Sequence, residues 1–214
     1  MAGRTAPPST RVLFVRHGRT PTTGAVLPGR APGLHLAEEG VRQAEAAAAR
    51  LAGLKQVDAV YASPLERTRE TAKPIGKALG LRVKVDKGLL EADFGDWTGA
   101  ELARLQKLRE WKAVQGHPSG FRFPGGESFA EMQARIVGAT RRLVAAHAGG
   151  TIVLVSHADP IKAVLNEALG AHLDQFQRIV VSPCSISAVA YGELGTMVLA
   201  INTTAGDLAA LVPS

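Results

Sequence analysis

Apolar residues fall along this chain in two rhythms. Short, nearly continuous apolar runs occur at "RVLFV" (11–15), "DAVYAS" (58–63) and "TIVLVS" (151–156), and an alternating run at "LRVKVD" (81–86). The continuous runs predict strands buried on both faces, and the alternating run a strand with one wet face. Between them, apolar positions recur every three or four residues. "LAEEGVRQAEAAAARLAG" (36–53) predicts an Ala-rich helix stopped at Gly53. "PLERTRETAKPIGKALG" (64–80) predicts a helix opened by Pro64 and closed by Gly80. Pro74 lies inside that span and is expected to kink the helix or split it after Lys73. Residues 95–115 predict at least one further helix, and "HPSGFRFPGGES" (117–128) a Gly/Pro loop. A long helix follows over 128–149, with Ser128 as cap and Glu131 three residues on, a capping box. "DPIKAVLNEALG" (159–170) predicts a helix with Asp159 as its cap and Pro160 at its first position. "SISAVAYG" (185–192) and "GTMVLAINTT" (195–204) read as a closing hairpin.

Strands separated by helices predict a three-layer α/β/α sandwich with a mostly parallel, mixed central sheet. The 214 residues fit one such domain over 11–214, behind a disordered lead-in over 1–10. Aromatic residues make up only 5% of the chain, so Ala, Val and Leu are expected to fill most of the core.

The net charge of +6 changes the picture only slightly. No run of five or more Lys or Arg occurs and no aromatics interleave with the basic residues. A small anion is therefore the expected target, and nucleic acid is not. Cys184 is the one cysteine, which rules out a disulfide framework or a Cys-based zinc site within the chain and fits a reduced, cytoplasmic compartment. No apolar stretch reaches the length of about eighteen residues that a membrane span needs, and no apolar run follows Arg4 as in a signal peptide.

The chemistry gathers at the ends of the predicted strands, where ligands of open α/β sheets bind. Two strands end in histidine, "VLFVRHG" at His17 and "VLVSHAD" at His157. A third leads into a helix whose first turn carries Arg67, and "GLLEADFGDW" places Glu91 after a short apolar run. Each has an ordinary structural explanation: a satisfied polar residue, a solvated helix face, a surface carboxylate. Together they suit one task. Arginines clamp a phosphate dianion through paired N–H groups. A neutral imidazole attacks phosphorus while the positive field spreads the charge. A carboxylic acid protonates the leaving oxygen.

Five segments carry a resemblance. "RHGRT" (16–20), "SPLERTRETA" (63–72), "LLEADFGDWTG" (89–99), "GGES" (125–128) and "VSHAD" (155–159) stand in the order seen in the histidine phosphatase superfamily, in the branch of phosphoglycerate mutase and its phosphatase relatives. The resemblance runs from about residue 11 to 204. It implies a phosphoglycerate mutase-like fold and a phosphohistidine intermediate on His17. It also implies phosphate contacts from Arg16 and Arg67, from Thr20 and Thr23, and from the backbone N–H of Ala158. His157 becomes the second histidine at the phosphoryl group and Glu91 the general acid and later the base. The resemblance implies no metal and no other cofactor. A small phosphorylated metabolite is the implied substrate, and residues 95–125 form a lid over it.

The departures from the family pattern bear on the reaction. Arg19 stands where an acid is common, Thr23 where Asn is frequent, and Ala158 where mutases often have Gly. In the acid-phosphatase branch an Asp directly follows the second His, whereas Asp159 lies one position later. The mutase block Glu-Arg-His-Tyr-Gly is replaced by Glu91-Ala92-Asp93-Phe94-Gly95, and the span from Gly99 to Gly126 is short and lacks an Arg-Arg pair. A mutase must also keep water from its phosphohistidine, which a short lid does poorly. Phosphomonoester hydrolysis is therefore the favoured reading. Phosphoglycerate mutation and non-catalytic binding of a phospho-ligand are the alternatives. Trp97, Trp111, Phe121 and Phe123 are candidates for leaving-group contact or for packing within the lid, and Arg30 or Arg122 for a second anionic group. A homodimer is left open: the closing hairpin could pair across it, but an apolar closing strand is equally expected inside one subunit.

Overall fold

The computed structural model describes residues 9–208. Six strands, β1 (Thr10–Arg16), β2 (Ala59–Ala62), β3 (Val83–Val85), β4 (Thr151–Ser156), β5 (Ile186–Gly192) and β6 (Gly195–Thr203), form one sheet in the order β3-β2-β4-β1-β5-β6. β3, β2, β4 and β1 run parallel, β5 is antiparallel to β1, and β6 closes the expected hairpin on β5. The helices are α1 (Glu38–Ala52), α2 (Glu66–Leu79), the short α3 (Leu102–Leu105), α4 (Arg109–Gly116), α5 (Phe129–Ala146) and α6 (Ala158–Ala168).

The two-residue period of the strands sorts the core into layers. Val12, Phe14, Ile152 and Leu154 pack with Met132 and Ile136 of α5 and Ile161 and Val164 of α6. Their neighbours Leu13, Val15, Val153 and Val155 face the other way, onto Ala48 and Leu51 of α1 and Ala72 and Ile75 of α2. Helices therefore cover both faces of the sheet, as the sequence predicts. Among the described residues no helix is long and apolar enough to cross a membrane.

Three local expectations are corrected. Pro74 does not split its helix: α2 runs unbroken from Glu66 to Leu79. Thr71, Ala72 and Ile75 are buried on either side of it, and this packing holds the turn that proline disfavours. Pro64 does not open that helix either, since the cap is Leu65. Asp159 is not the cap of α6. His157 takes that position, and Asp159 lies inside the first turn with its carboxylate 3.2 Å from Nζ of Lys162. The lead-in expected over 1–10 falls outside the described residues except for its last two, and Thr10 already belongs to β1.

Residues 95–125 carry α3 and α4. Gly99 N–H donates to Leu27 O at 2.8 Å, Leu27 N–H to Ala100 O at 2.9 Å and Leu102 N–H to Ala25 O at 2.9 Å, so the segment is tied to residues 25–27. Trp97, Phe121 and Phe123 are buried, with Phe123 edge-on to Phe94, Trp97, Phe121 and Phe129. Most of the chain's few aromatics are thus concentrated in one cluster. These side chains pack against one another, as does Trp111, stacked 6.3 Å from Trp97.

Candidate active site

β1 and β4 are adjacent and parallel, with Arg16 opposite Ser156. One step past both strand ends the chain delivers His17 and His157 side by side, their rings 5.3 Å apart and edge to face. His17 is buried, and its Nδ1–H donates to the carbonyl of Gly18 at 2.8 Å. A carbonyl only accepts, so this bond puts the proton on Nδ1 and leaves the lone pair on Nε2. Burial, then the positive charges of Arg67 and Arg16, lower the pKa of His17 to about 3. The ring is therefore neutral at ordinary pH, the state in which an imidazole is a nucleophile.

Gly18 is required by close approach. A Cβ on Gly18 would lie 2.5 Å from Gly40 O, and one on Gly40 would lie 2.0 Å from Arg19 O. The loop after β1 is laid against the start of α1 backbone to backbone. Arg19 N–H donates to Gln43 Oε1 at 3.0 Å, Ala37 N–H donates to Arg19 O at 2.9 Å, and the exposed Arg19 guanidinium lies 3.5 Å from Glu39. Arg19 thus serves as the loop's anchor to α1.

Two guanidinium groups face the histidines electrostatically. Arg67, fully buried on the first turn of α2, donates from Nη2 to Gly29 O at 2.7 Å, while its Nε and Nη1 have no protein partner. Arg16 donates from Nη1 to Val181 O at 2.7 Å, and its Nε is likewise buried without one. Buried N–H donors left unmatched cost free energy, so each carbonyl contact holds its guanidinium with donors reserved for an anion. His157 is fully buried with Nε2 2.8 Å from Ser63 Oγ. Burial, then the charges of Arg67 and its neighbours, hold it well below its ordinary pKa, so it too is neutral.

Glu91 is buried beside them. Ala92 N–H donates to its Oε1 at 2.9 Å. Burial first, and then repulsion from Asp159, raise its pKa to about 7 against the pull of Arg67 and Arg16. A carboxyl tuned in this way holds a proton near neutral pH and can give it up. Its main chain is clamped from outside: Arg30 Nε donates to Glu91 O at 2.8 Å and Arg135 Nη2 at 3.2 Å. Both arginines also bind Glu127, Arg30 at 3.0 Å and Arg135 at 2.9 Å. Arg30 is therefore engaged within the chain, as is Arg122 through Glu131 and Gly126 O. Sequence reading missed the roles of Glu127 and Arg135. "GGES" signals the first, but no local pattern ties Arg135 to a residue 44 positions away.

Thr20 and Thr23 share one turn beyond Gly18. Thr20 N–H donates to Thr23 Oγ1 at 2.8 Å, and the two hydroxyls lie 2.9 Å apart. Ala158 is the first residue of α6, so its N–H belongs to the first-turn amides that lack an intrahelical acceptor and favour an anion. Among the described residues no group of three or more His, Cys, Asp or Glu side chains is arranged to hold a metal ion.

Two histidines with lowered pKa values and two buried guanidinium groups with unmatched N–H donors thus gather at the carboxyl end of a mostly parallel sheet. The sequence profile of the histidine phosphatase superfamily (branch 1) matches residues 12–204, and the chain belongs to that superfamily. It is 36% identical over 203 residues to the bifunctional protein Rv2228c of Mycobacterium tuberculosis, covering 91% of this chain but 54% of that protein. The chain therefore spans about half the length of this relative. It is 30% identical over 202 residues to phosphoserine phosphatase 1 of Hydrogenobacter thermophilus, covering 91% and 92% of the two chains. Among solved structures, a mycobacterial glucosyl-3-phosphoglycerate phosphatase superposes with a TM-score of 0.82 at 26% identity, covering 91% of this chain and 99% of the other.

Proposed function

We propose that this chain is a metal-independent phosphomonoesterase that hydrolyses a small phosphorylated metabolite through a phosphohistidine on His17. The observation that carries this reading is geometric: His17, its Nδ1–H given to Gly18 O and its Nε2 lone pair left free, stands 5.3 Å ring to ring from His157 where Arg16 and Arg67 keep buried donors unmatched. In the first step the Nε2 lone pair attacks phosphorus, the ester P–O bond breaks, and the Glu91 proton passes to the leaving oxygen. Arg16 and Arg67, with the Ala158 N–H and the Thr20–Thr23 turn, carry the phosphoryl oxygens. In the second step the Glu91 carboxylate takes a proton from water, the water oxygen attacks phosphorus, and the P–N bond breaks. Inorganic phosphate leaves with His17 neutral and Glu91 protonated again. Residues 95–125 cover the leaving group in this scheme, and the reduced cytoplasm is its compartment.

Hydrolysis is favoured over mutation because Arg30 and Arg122, the candidates for holding a second anionic group, are engaged within the chain. The phosphatase names of two similar proteins support the same reading. The test is turnover of an aryl phosphate and a panel of phosphorylated metabolites, phosphoserine among them, by wild type and His17→Ala in parallel. The expected outcome is phosphate release by wild type, an acid-labile phosphoenzyme, and loss of both in the variant. Wild-type turnover by His17→Ala would refute the assignment. Supplying 3-phosphoglycerate with bisphosphoglycerate separates the alternatives, since a mutase yields 2-phosphoglycerate and a phosphatase free phosphate. Phosphate binding without turnover would identify a phospho-ligand sensor.

A further inference from the structure

Ser63 follows β2 and precedes Pro64, a position that reads in sequence as the start of a helix. Its hydroxyl is not used there: the cap of α2 is Leu65, and no side chain bonds the helix end. The backbone of Ser63 is held on both sides. Its N–H donates to Val155 O at 3.0 Å, and its carbonyl accepts from Thr68 Oγ1 at 2.8 Å. Ser63 is fully buried, and among the described residues its Oγ has one partner, Nε2 of His157 at 2.8 Å. The other ring nitrogen, Nδ1, is buried with no protein partner.

Two tautomers of neutral His157 fit this distance, and hydrogen-bond accounting separates them. If Nε2 carried the proton, it would donate to Ser63 Oγ. The Ser63 hydroxyl proton and the Nδ1 lone pair would then both be buried and unmatched. If Nδ1 carries the proton, the Ser63 hydroxyl donates to Nε2 and both of those groups are satisfied. Only Nδ1–H is left over, and a donor is what a phosphoryl oxygen requires, whereas a bare lone pair would face an oxyanion with repulsion. The charged groups acting on His157 are Arg16 at the end of β1, Arg67 on α2 and Arg135 on α5, with His17 beside it; all three arginines favour the neutral ring.

We infer that Ser63 is a positioning residue that fixes His157 as its Nδ1–H tautomer, so that the second histidine acts as a neutral hydrogen-bond donor to the transferring phosphoryl group. The catalytic half of this statement rests on the proposed phosphatase reaction; the tautomer does not. The hydroxyl thus orders a proton that it never delivers. Removing it frees the ring to redistribute between tautomers and lets the donor turn away from the phosphoryl group.

The experiment is long-range 15N–1H NMR of histidine-labelled protein, with and without inorganic phosphate, combined with steady-state kinetics on an aryl phosphate. Wild type is expected to show His157 protonated on Nδ1. Ser63→Ala is expected to show a tautomer mixture and a kcat lowered by about ten- to a hundredfold, the scale of one hydrogen bond to a charged group. KM should change less than kcat, and Ser63→Thr, which keeps the hydroxyl, should restore both tautomer and rate. A wild-type ring protonated on Nε2 overturns the inference without recourse to any variant. So does a folded Ser63→Ala protein with wild-type kcat. Unchanged turnover by His17→Ala would instead refute the phosphatase reading, leaving the tautomer measurement to stand by itself.

Discussion

At the scale of single residues, the site depends on where protons reside. His17 keeps a free lone pair down to about pH 3, whereas Glu91 holds its proton only up to about pH 7. A group with a raised pKa is in its protonated form below that value. Activity toward esters with poor leaving groups is therefore expected to fall as pH rises through the Glu91 value, while activated aryl phosphates, which need less acid help, stay flatter. Asp159 helps to set that limb through its charge. Asp159→Asn removes the repulsion, lowers the Glu91 pKa and should move the alkaline limb of kcat/KM to lower pH for an alkyl phosphate. An unmoved or upward-shifted limb would show that Asp159 does not act on Glu91. The histidines, Arg67 and Glu91 were legible because their residue types stand at strand ends in quotable segments. Asp159 was misread because an acid ahead of Pro160 resembles a helix cap, and only the three-dimensional start of α6 at Ala158 shows that His157 holds that place.

At the scale of elements, local chemistry succeeded where the relevant contacts were local. The capping box of α5 is present in full: Glu131 N–H donates to Ser128 Oγ at 3.1 Å and Ser128 N–H to Glu131 Oε2 at 2.9 Å. Ser128→Ala should cost about 1 kcal/mol and lower Tm by about 2–4 °C, measured by calorimetry. No loss of Tm would mean that packing alone holds the first turn. The unbroken α2 is the counterexample, since the penalty at Pro74 was visible in sequence but the burial of Thr71, Ala72 and Ile75 beside it in the same helix depends on partners from other elements.

At the scale of the whole molecule, alternating rhythms of strand and helix implied a layered sheet, and the sheet is there. Its order was not legible, because which strands become neighbours depends on crossovers. The adjacency of β1 and β4 is what turns two separate histidines into a pair. The Arg30–Glu127–Arg135 clamp was hidden for the same reason, Arg30 lying 97 residues from Glu127.

The loop at Gly29 and Arg30 links two parts of this machine. Gly29 O receives Arg67, the proposed phosphate clamp, and the next side chain, Arg30, holds the main chain of Glu91, the proposed acid. A Cβ on Gly29 would lie 2.9 Å from Thr98 Oγ1 at a backbone φ of +51°, so Gly29→Ala displaces the loop. Substrate affinity and leaving-group sensitivity should then deteriorate together, and kinetics on aryl and alkyl phosphates would read both. A variant with one defect and not the other would uncouple them. In the proposed reaction, grip on the phosphate and delivery of the proton would then share one short loop, so a change there that retunes one is expected to disturb the other.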